Sequence, residues 1–170
     1  MLNKLYYMES VINNRLVKLE DDGELYWWKT HNKGVEMKNP QWMIFKPSLC
    51  GTKKYRYKKI IILKKTYKLH RVIYKLHNPE WNIDDTSKYN VIDHIDRNTE
   101  NNNIQNLRAV TQHQNIWNMN SKGYSWDKKA NKYRVRIILN GESINGGYFV
   151  NEEDAITKRA ELKLKYHQIN

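Results

Sequence analysis

Asn98, Asn101, Asn102, Asn103 and Asn106 crowd one stretch of this 170-residue chain, between the apolar-rich runs Val91–Asp96 and Leu107–Val110. Asparagine at that density favours a loop, because its side chain bonds to nearby backbone and competes with helix or strand. The flanking runs are too short for helices and read as strands, which makes the segment a hairpin. Thr111-Gln112-His113-Gln114 follows at once with the form of a capping box, Thr at the cap and Gln three residues on. It opens a short helix that includes Ile116 and Trp117 and fades near Asn120-Ser121-Lys122-Gly123.

The same segment gathers acid, base and amide: Asp93, His94, Asp96, Asn106, His113 and Asn115. Hydrolysis of a phosphodiester needs a base beside the attacking water and a hard cation on the phosphate oxygens. Asp and Asn carbonyl oxygens suit Mg²⁺ or Mn²⁺. Taken singly, each residue has an ordinary use: an Asp makes turns, a His satisfies a hydrogen bond, an Asn opens a helix. Their joint spacing is what points to chemistry.

Asp93-His94-Ile95-Asp96-Arg97-Asn98, then Asn102-Asn103-Ile104-Gln105-Asn106-Leu107-Arg108-Ala109-Val110-Thr111, then Asn115, resemble the HNH homing endonucleases of the ββα-metal type, over roughly 70–118. The resemblance implies that His94 is the general base and that Asp93 and Asn115 bind one divalent ion, Mg²⁺ or Mn²⁺. It implies that Asn106, the middle letter, holds the hairpin loop and the orientation of His94. Asn115 stands where the family often has His, which leaves His113 as a phosphate or structural residue. Arg97 replaces the Gly usual after the Asp-His-x-Asp run. His70-Arg71 resembles the His-Arg pair that precedes the hairpin in many relatives and contacts phosphate, although for His70 and His113 a purely structural use is the stronger reading. The paired CxxC motifs of zinc-stabilised relatives are absent, so no structural zinc is expected.

Charge supports a polyanionic partner. Between Met37 and Pro79 lie 12 basic residues and no acid, while the other 18 basic residues balance the 18 acids, so this stretch equals the whole net charge of +12. Its lysines, Lys58 and Lys59 among them, interleave with Tyr55, Tyr57, Tyr67 and Tyr74, a pattern that suits either a nucleic-acid groove or a solvated edge strand. Cys50 alone makes no intramolecular disulfide, and no run approaches the ~18 apolar residues of a membrane span. An intracellular protein with no membrane partner, no signal peptide and no evident obligatory protein partner is expected.

Residues 1–65 read as short strands, Lys4–Met8, Arg15–Leu19, Glu24–Trp28, Trp42–Phe45 and Tyr55–Leu63, with a turn at Asp21-Asp22-Gly23. A helix over Arg71–His77 stops at Pro79. Past Gly123 come strands near Tyr124–Asp127, Tyr133–Leu139 and Ser143–Phe149, a hairpin at Asn140-Gly141, and a final helix started by Asn151. Ile156, Ala160 and Leu164 are expected as its buried stripe.

Gly123-Tyr124-Ser125-Trp126-Asp127, Tyr133-Arg134-Val135-Arg136-Ile137, Gly147-Tyr148-Phe149 and Glu152-Glu153-Asp154-Ala155 resemble the APETALA-type (ethylene-response-factor) DNA-binding domain. Alternation puts Tyr133, Val135, Ile137 and Leu139 on one strand face and Arg134 and Arg136 on the other. The resemblance lays the arginine face on duplex DNA, with Trp126, Lys128 and Lys132 as further contacts, whereas ordinary solvated arginines are the plainer reading. Together these readings predict an α+β chain. A β-rich DNA-contacting region (1–65) leads into a ββα-metal nuclease core (66–120), followed by a three-stranded antiparallel sheet packed on one helix (121–170). A site-specific DNA endonuclease of a mobile element is the expected function. A DNA-binding regulator with an inactive nuclease core is the rival, and an RNA-binding accessory protein fits the charge but not the metal-compatible set.

Overall fold

The computed structural model describes residues 8–21, 23–53, 56–119, 121–139 and 141–169, and the expected strand Lys4–Met8 lies outside them except for Met8. Asp22, Tyr55 and Asn140 also fall outside the described residues. The architecture is mixed α and β, mostly strands with three helices among the described residues. The chain divides into two compact units, Met1–Ala109 and Val110–Asn170.

Unit 1 begins with a four-stranded antiparallel sheet in sequential order: β1 (Met8–Ile12), β2 (Arg15–Leu19), β3 (Leu25–Asn32) and β4 (Val35–Ile44). Two-residue turns join β1 to β2 at Asn13-Asn14 and β3 to β4 at Lys33-Gly34, all four residues at positive φ, the backbone that tight hairpins demand. A second sheet holds β5 (Ser48–Gly51), β6 (Arg56–Ile62) and β7 (Lys65–Lys68), with Leu63-Lys64 turning the same way. Helix α1 (Leu69–His77) follows directly, two residues earlier than the sequence predicts. Its stripe of Leu69, Val72, Ile73 and Leu76 is buried with Ile12, Val17 and Leu25 of the first sheet and Ile60 and Ile62 of the second. The N-terminal strands therefore share one core with α1 and with the hairpin β8 (Val91–His94) and β9 (Leu107–Val110), through Ile92 and Leu107.

The irregular segment between α1 and β8 is fastened by Arg71. Its guanidinium donates to the carbonyls of Ile83 (2.8 Å), Asp85 (2.7 Å) and Asn90 (3.0 Å) and lies 4.6 Å from the ring centre of Trp81. One side chain thus satisfies backbone acceptors that no helix or strand pairs.

Unit 2 comprises α2 (Gln112–Asn118), the antiparallel sheet β10 (Tyr124–Asp127), β11 (Lys132–Leu139) and β12 (Glu142–Phe149), and α3 (Glu152–Tyr166). The expected capping box of α2 is present, Thr111 and Gln114 bonding reciprocally. Val135 and Ile137 of β11 are buried with Ala155 and Leu162 of α3, so one sheet face packs on one helix. The expected buried stripe of α3 is corrected: Ile156 and Leu164 are 48% and 77% exposed, and Ala160 is exposed too. The inward face runs instead through Ala155, Arg159, Leu162 and Tyr166, also at helical spacing. An arginine in that face hides it from a reading based on apolar periodicity.

A bulge shapes the sheet. Val135 pairs with Gly147 but Arg136 with Asn145, leaving Gly146 as the extra residue. A Cβ at Gly146 would stand 2.7 Å from Leu162 Cδ1 and 2.8 Å from Val135 Cγ1, so only glycine fits against the core. Among the described residues no helix is long and apolar enough to cross a membrane.

Candidate active site

Strand β8 ends on two buried polar side chains, Asp93 and His94, each 5% exposed. Neighbours on a strand leave opposite faces, and these two meet different partners. Asp93 faces β9, where Arg108 donates to its Oδ2 from Nε at 3.0 Å and from Nη2 at 2.9 Å. That charge-assisted pair fixes the carboxylate. His94 enters an aromatic cluster: the His70 ring of α1 meets it edge-on with centres 4.9 Å apart, and Tyr57 of β6 lies 6.3 Å away.

His94 Nε2 is 3.1 Å from Asn102 Oδ1, and the Asn102 amide nitrogen donates to the Glu100 carbonyl, which turns its oxygen toward the ring. An amide oxygen only accepts, so Nε2 carries the proton in this arrangement. Asn106 acts on the loop. Its side-chain oxygen accepts from the Asp96 backbone N–H at 2.9 Å, and its amide donates to Asp96 Oδ1 (2.9 Å) and the Asn101 carbonyl (2.8 Å). Its own carbonyl accepts from the Ile95 N–H, immediately past His94. Bonds from the Asn101 side chain and the Asn98 N–H hold the Asp96 carboxyl below its ordinary range. Arg97 takes the left-handed backbone, φ 66°, that a glycine would occupy without strain.

Burial pushes the His70 pKa down to about 3, with the nearby His94, Lys68 and Arg71 charges adding to the effect, so His70 is a neutral ring at ordinary pH. It is 5% exposed and faces the cluster rather than open solvent. Arg71, expected on phosphate, directs its guanidinium to the three carbonyls described above.

Lys58 and Lys59 leave opposite faces of β6, and Lys59 pairs directly with Lys68 of β7 on the face that bears Tyr57. The Lys68 ammonium sits 4.4 Å from the Tyr57 ring centre. Like charges directly opposed on a sheet repel, an arrangement that a polyanion relieves. Lysines therefore border the aromatic cluster around His94.

In unit 2, Asn115 and His113 lie on α2, Asn115 half-buried and His113 exposed. Helix α2 has no buried residue of its own; its Trp117 stacks on His167, just past α3, with ring centres 4.7 Å apart and planes within 3°. On the sheet, Lys132, Arg134 and Arg136 share the face away from α3, Arg136 exposed and Arg134 half-buried with its guanidinium 5.9 Å from the Tyr148 ring centre. Trp126 does not join them. It pairs with Tyr133, whose ring it meets at 4.8 Å, and so lies at the rim of the helix-facing side, 46% exposed. Lys128 is exposed in the β10–β11 turn.

Asp93 and Asn115 offer oxygen donors, which suit a hard divalent cation that keeps water and phosphate in its remaining shell. Among the described residues no group of three His, Cys, Asp or Glu side chains forms a metal cluster. The sequence gives Asn102 and Arg108 no role of their own, and Tyr57 only as one of several tyrosines in the basic stretch. Asn102 was legible only as one asparagine of several.

No curated protein and no solved structure matches the chain. A family model described as HNH endonuclease matches residues 67–116, from β7 through α1 and the β8–β9 hairpin into α2, and points to nuclease activity on DNA for the segment holding Asp93, His94, Asn106 and Asn115.

Proposed function

We propose that the chain is a site-specific DNA endonuclease of the homing type that hydrolyses phosphodiester bonds with His94 as general base. The observation that carries this reading is the buried His94 ring, fixed through Nε2 by Asn102, beside buried Asp93 within the matched segment. With Nε2 donating to Asn102, Nδ1 would be the ring nitrogen that takes the proton of the attacking water. Asn106 holds the loop that presents both residues, and Arg108 fixes the Asp93 carboxylate in place. Lys59 and Lys68 draw the phosphate chain toward the cluster. Asp93 and Asn115 would hold one Mg²⁺ or Mn²⁺, whose charge stabilises the phosphate and the departing 3′ oxygen. The products are a 3′-hydroxyl and a 5′-phosphate.

Unit 2, read as an APETALA-type module, holds the nuclease on its target through Arg134, Arg136, Lys132 and Lys128, since a second tethered binding site raises the effective concentration at the first. One observation favours the rival, a DNA-binding regulator with an inactive core: Arg108 already spends two bonds on Asp93 Oδ2. Titration of Mg²⁺ and Mn²⁺ against cleavage by the wild type and by Asp93→Ala separates the two. The endonuclease reading expects metal-dependent cutting that Asp93→Ala loses at every concentration. Normal cutting by that variant would remove Asp93 from the metal site, and binding without cutting by the wild type would favour the regulator.

A further inference from the structure

Unit 2 contains a cavity of about 460 Å³ whose lining includes Arg136 and Arg159 with Ser121, Ser125, Ile138 and Trp117, and no carboxylate among its lining residues. Arg159 stands out there. It projects from the inward face of α3, where an apolar side chain is the ordinary occupant, and burial alone lowers its pKa, with no acid to offset the loss of water. Its Nε and Nη1 are shut off from solvent and have no hydrogen-bond partner, and among the described residues no ion pair includes Arg159 or Arg136. Glu152, seven residues before Arg159 on α3, is engaged by the Tyr124 hydroxyl at 2.9 Å and by Lys122.

The chain makes room for this arginine. A Cβ at Gly123 would stand 1.7 Å from Arg159 Nε, so the guanidinium crosses bare backbone at the one residue without a side chain, itself at φ 67°. A half-buried cation without a counter-ion costs stability, and proteins normally pair such a charge or give it an anionic ligand. Arg136 belongs both to the cavity lining and to the exposed sheet face with Arg134 and Lys132.

We infer that the cavity of unit 2 lined by Arg159 and Arg136 is a phosphate-binding site that takes one backbone phosphate of a DNA strand. The inference rests on the DNA-binding part of the proposed function and extends it to a residue of α3 and a position off the sheet face. A guanidinium presents a planar fork that matches phosphate oxygens, and a phosphate there supplies the charge that the protein itself withholds.

The test is the salt dependence of binding. The full chain is titrated with two duplexes of unrelated sequence in EDTA, from 50 to 200 mM KCl, as wild type, Arg159→Gln and Arg159→Lys. One lost phosphate contact lowers the slope of log K against log[KCl] by about 1 and weakens both duplexes alike. The expected result is that drop for Arg159→Gln, several-fold weaker binding to each duplex, and partial recovery by Arg159→Lys. An unchanged slope in a folded Arg159→Gln protein overturns the inference. Should that variant fail to fold, the Arg159 Nε–H resonance of the wild type gives the answer: it shifts on adding duplex under the inference and stays in place otherwise. If inorganic phosphate alone saturates that shift and DNA adds nothing, the site serves free anions and the inference fails. A wild type that binds no DNA would defeat the proposed function itself, a result distinct from binding with an unaltered slope.

Discussion

As the proposed general base, His94 needs one ring nitrogen committed and the other basic, and the 3.1 Å contact of Asn102 with Nε2 would supply that commitment. Asn102→Ala should lower kcat by about tenfold or more while duplex affinity holds, and Asn102→Asp, which still accepts a hydrogen bond there, should recover most of the loss. A kcat unchanged by Asn102→Ala would detach it from the base. His70 gives a prediction for stability. Its pKa falls from 6.5 to about 3 in the fold, so between those values the unfolded chain binds the proton that the folded chain refuses. Its contribution is complete above pH 6.5 and drains as the pH falls toward 3. The melting temperature should drop across that window, and His70→Phe, which keeps a ring and removes the titration, should flatten the drop. The acid, base and amide of the hairpin were legible in the sequence because their spacing follows one family's motif. The contacts of Asn102 and Arg108 were not, since each acts through a partner that folding brings from elsewhere.

At the scale of elements, α2 is too short to persist alone and buries none of its residues, so its seven-residue turn of helix depends on the stack of Trp117 on His167. His167→Ala should cost about 1 kcal/mol of that contact, speed hydrogen exchange at the α2 amides, and slow cleavage up to about tenfold, with His167→Phe restoring both. Exchange unaltered in His167→Ala would show that something else holds α2. In β12 the bulge leaves no space beside Gly146, and Gly146→Ala should destabilise the chain by about 1–3 kcal/mol in denaturant titrations. Strands with clear alternation or a turn signal were readable, as β2 and β11 were. The Asn13-Asn14 and Leu63-Lys64 turns were harder to place, because positive φ at such residues follows from hairpin geometry rather than from glycine. The α3 stripe was misread because its inward face admits Arg159, so apolar periodicity pointed to Ile156 and Leu164.

Across the whole molecule, the net charge of +12 concentrates in the strands and helix that bring lysines beside His94, and unit 2 adds a second basic face with its own core. The expected separation of an N-terminal β region from the segment after it was a reading of composition. The structure merges their apolar residues into one core, since short sheets bury too little on their own. The proposed function has this chain cut DNA with His94 taking the proton. Its most direct test is incubation of the full chain with supercoiled plasmid in Mg²⁺, in EDTA, and as His94→Ala. The expected result is relaxed or linear product that requires the metal and is lost in His94→Ala while DNA binding persists. Cleavage by His94→Ala at the wild-type rate, or none by the wild type with any divalent ion across several DNA sources, would contradict it.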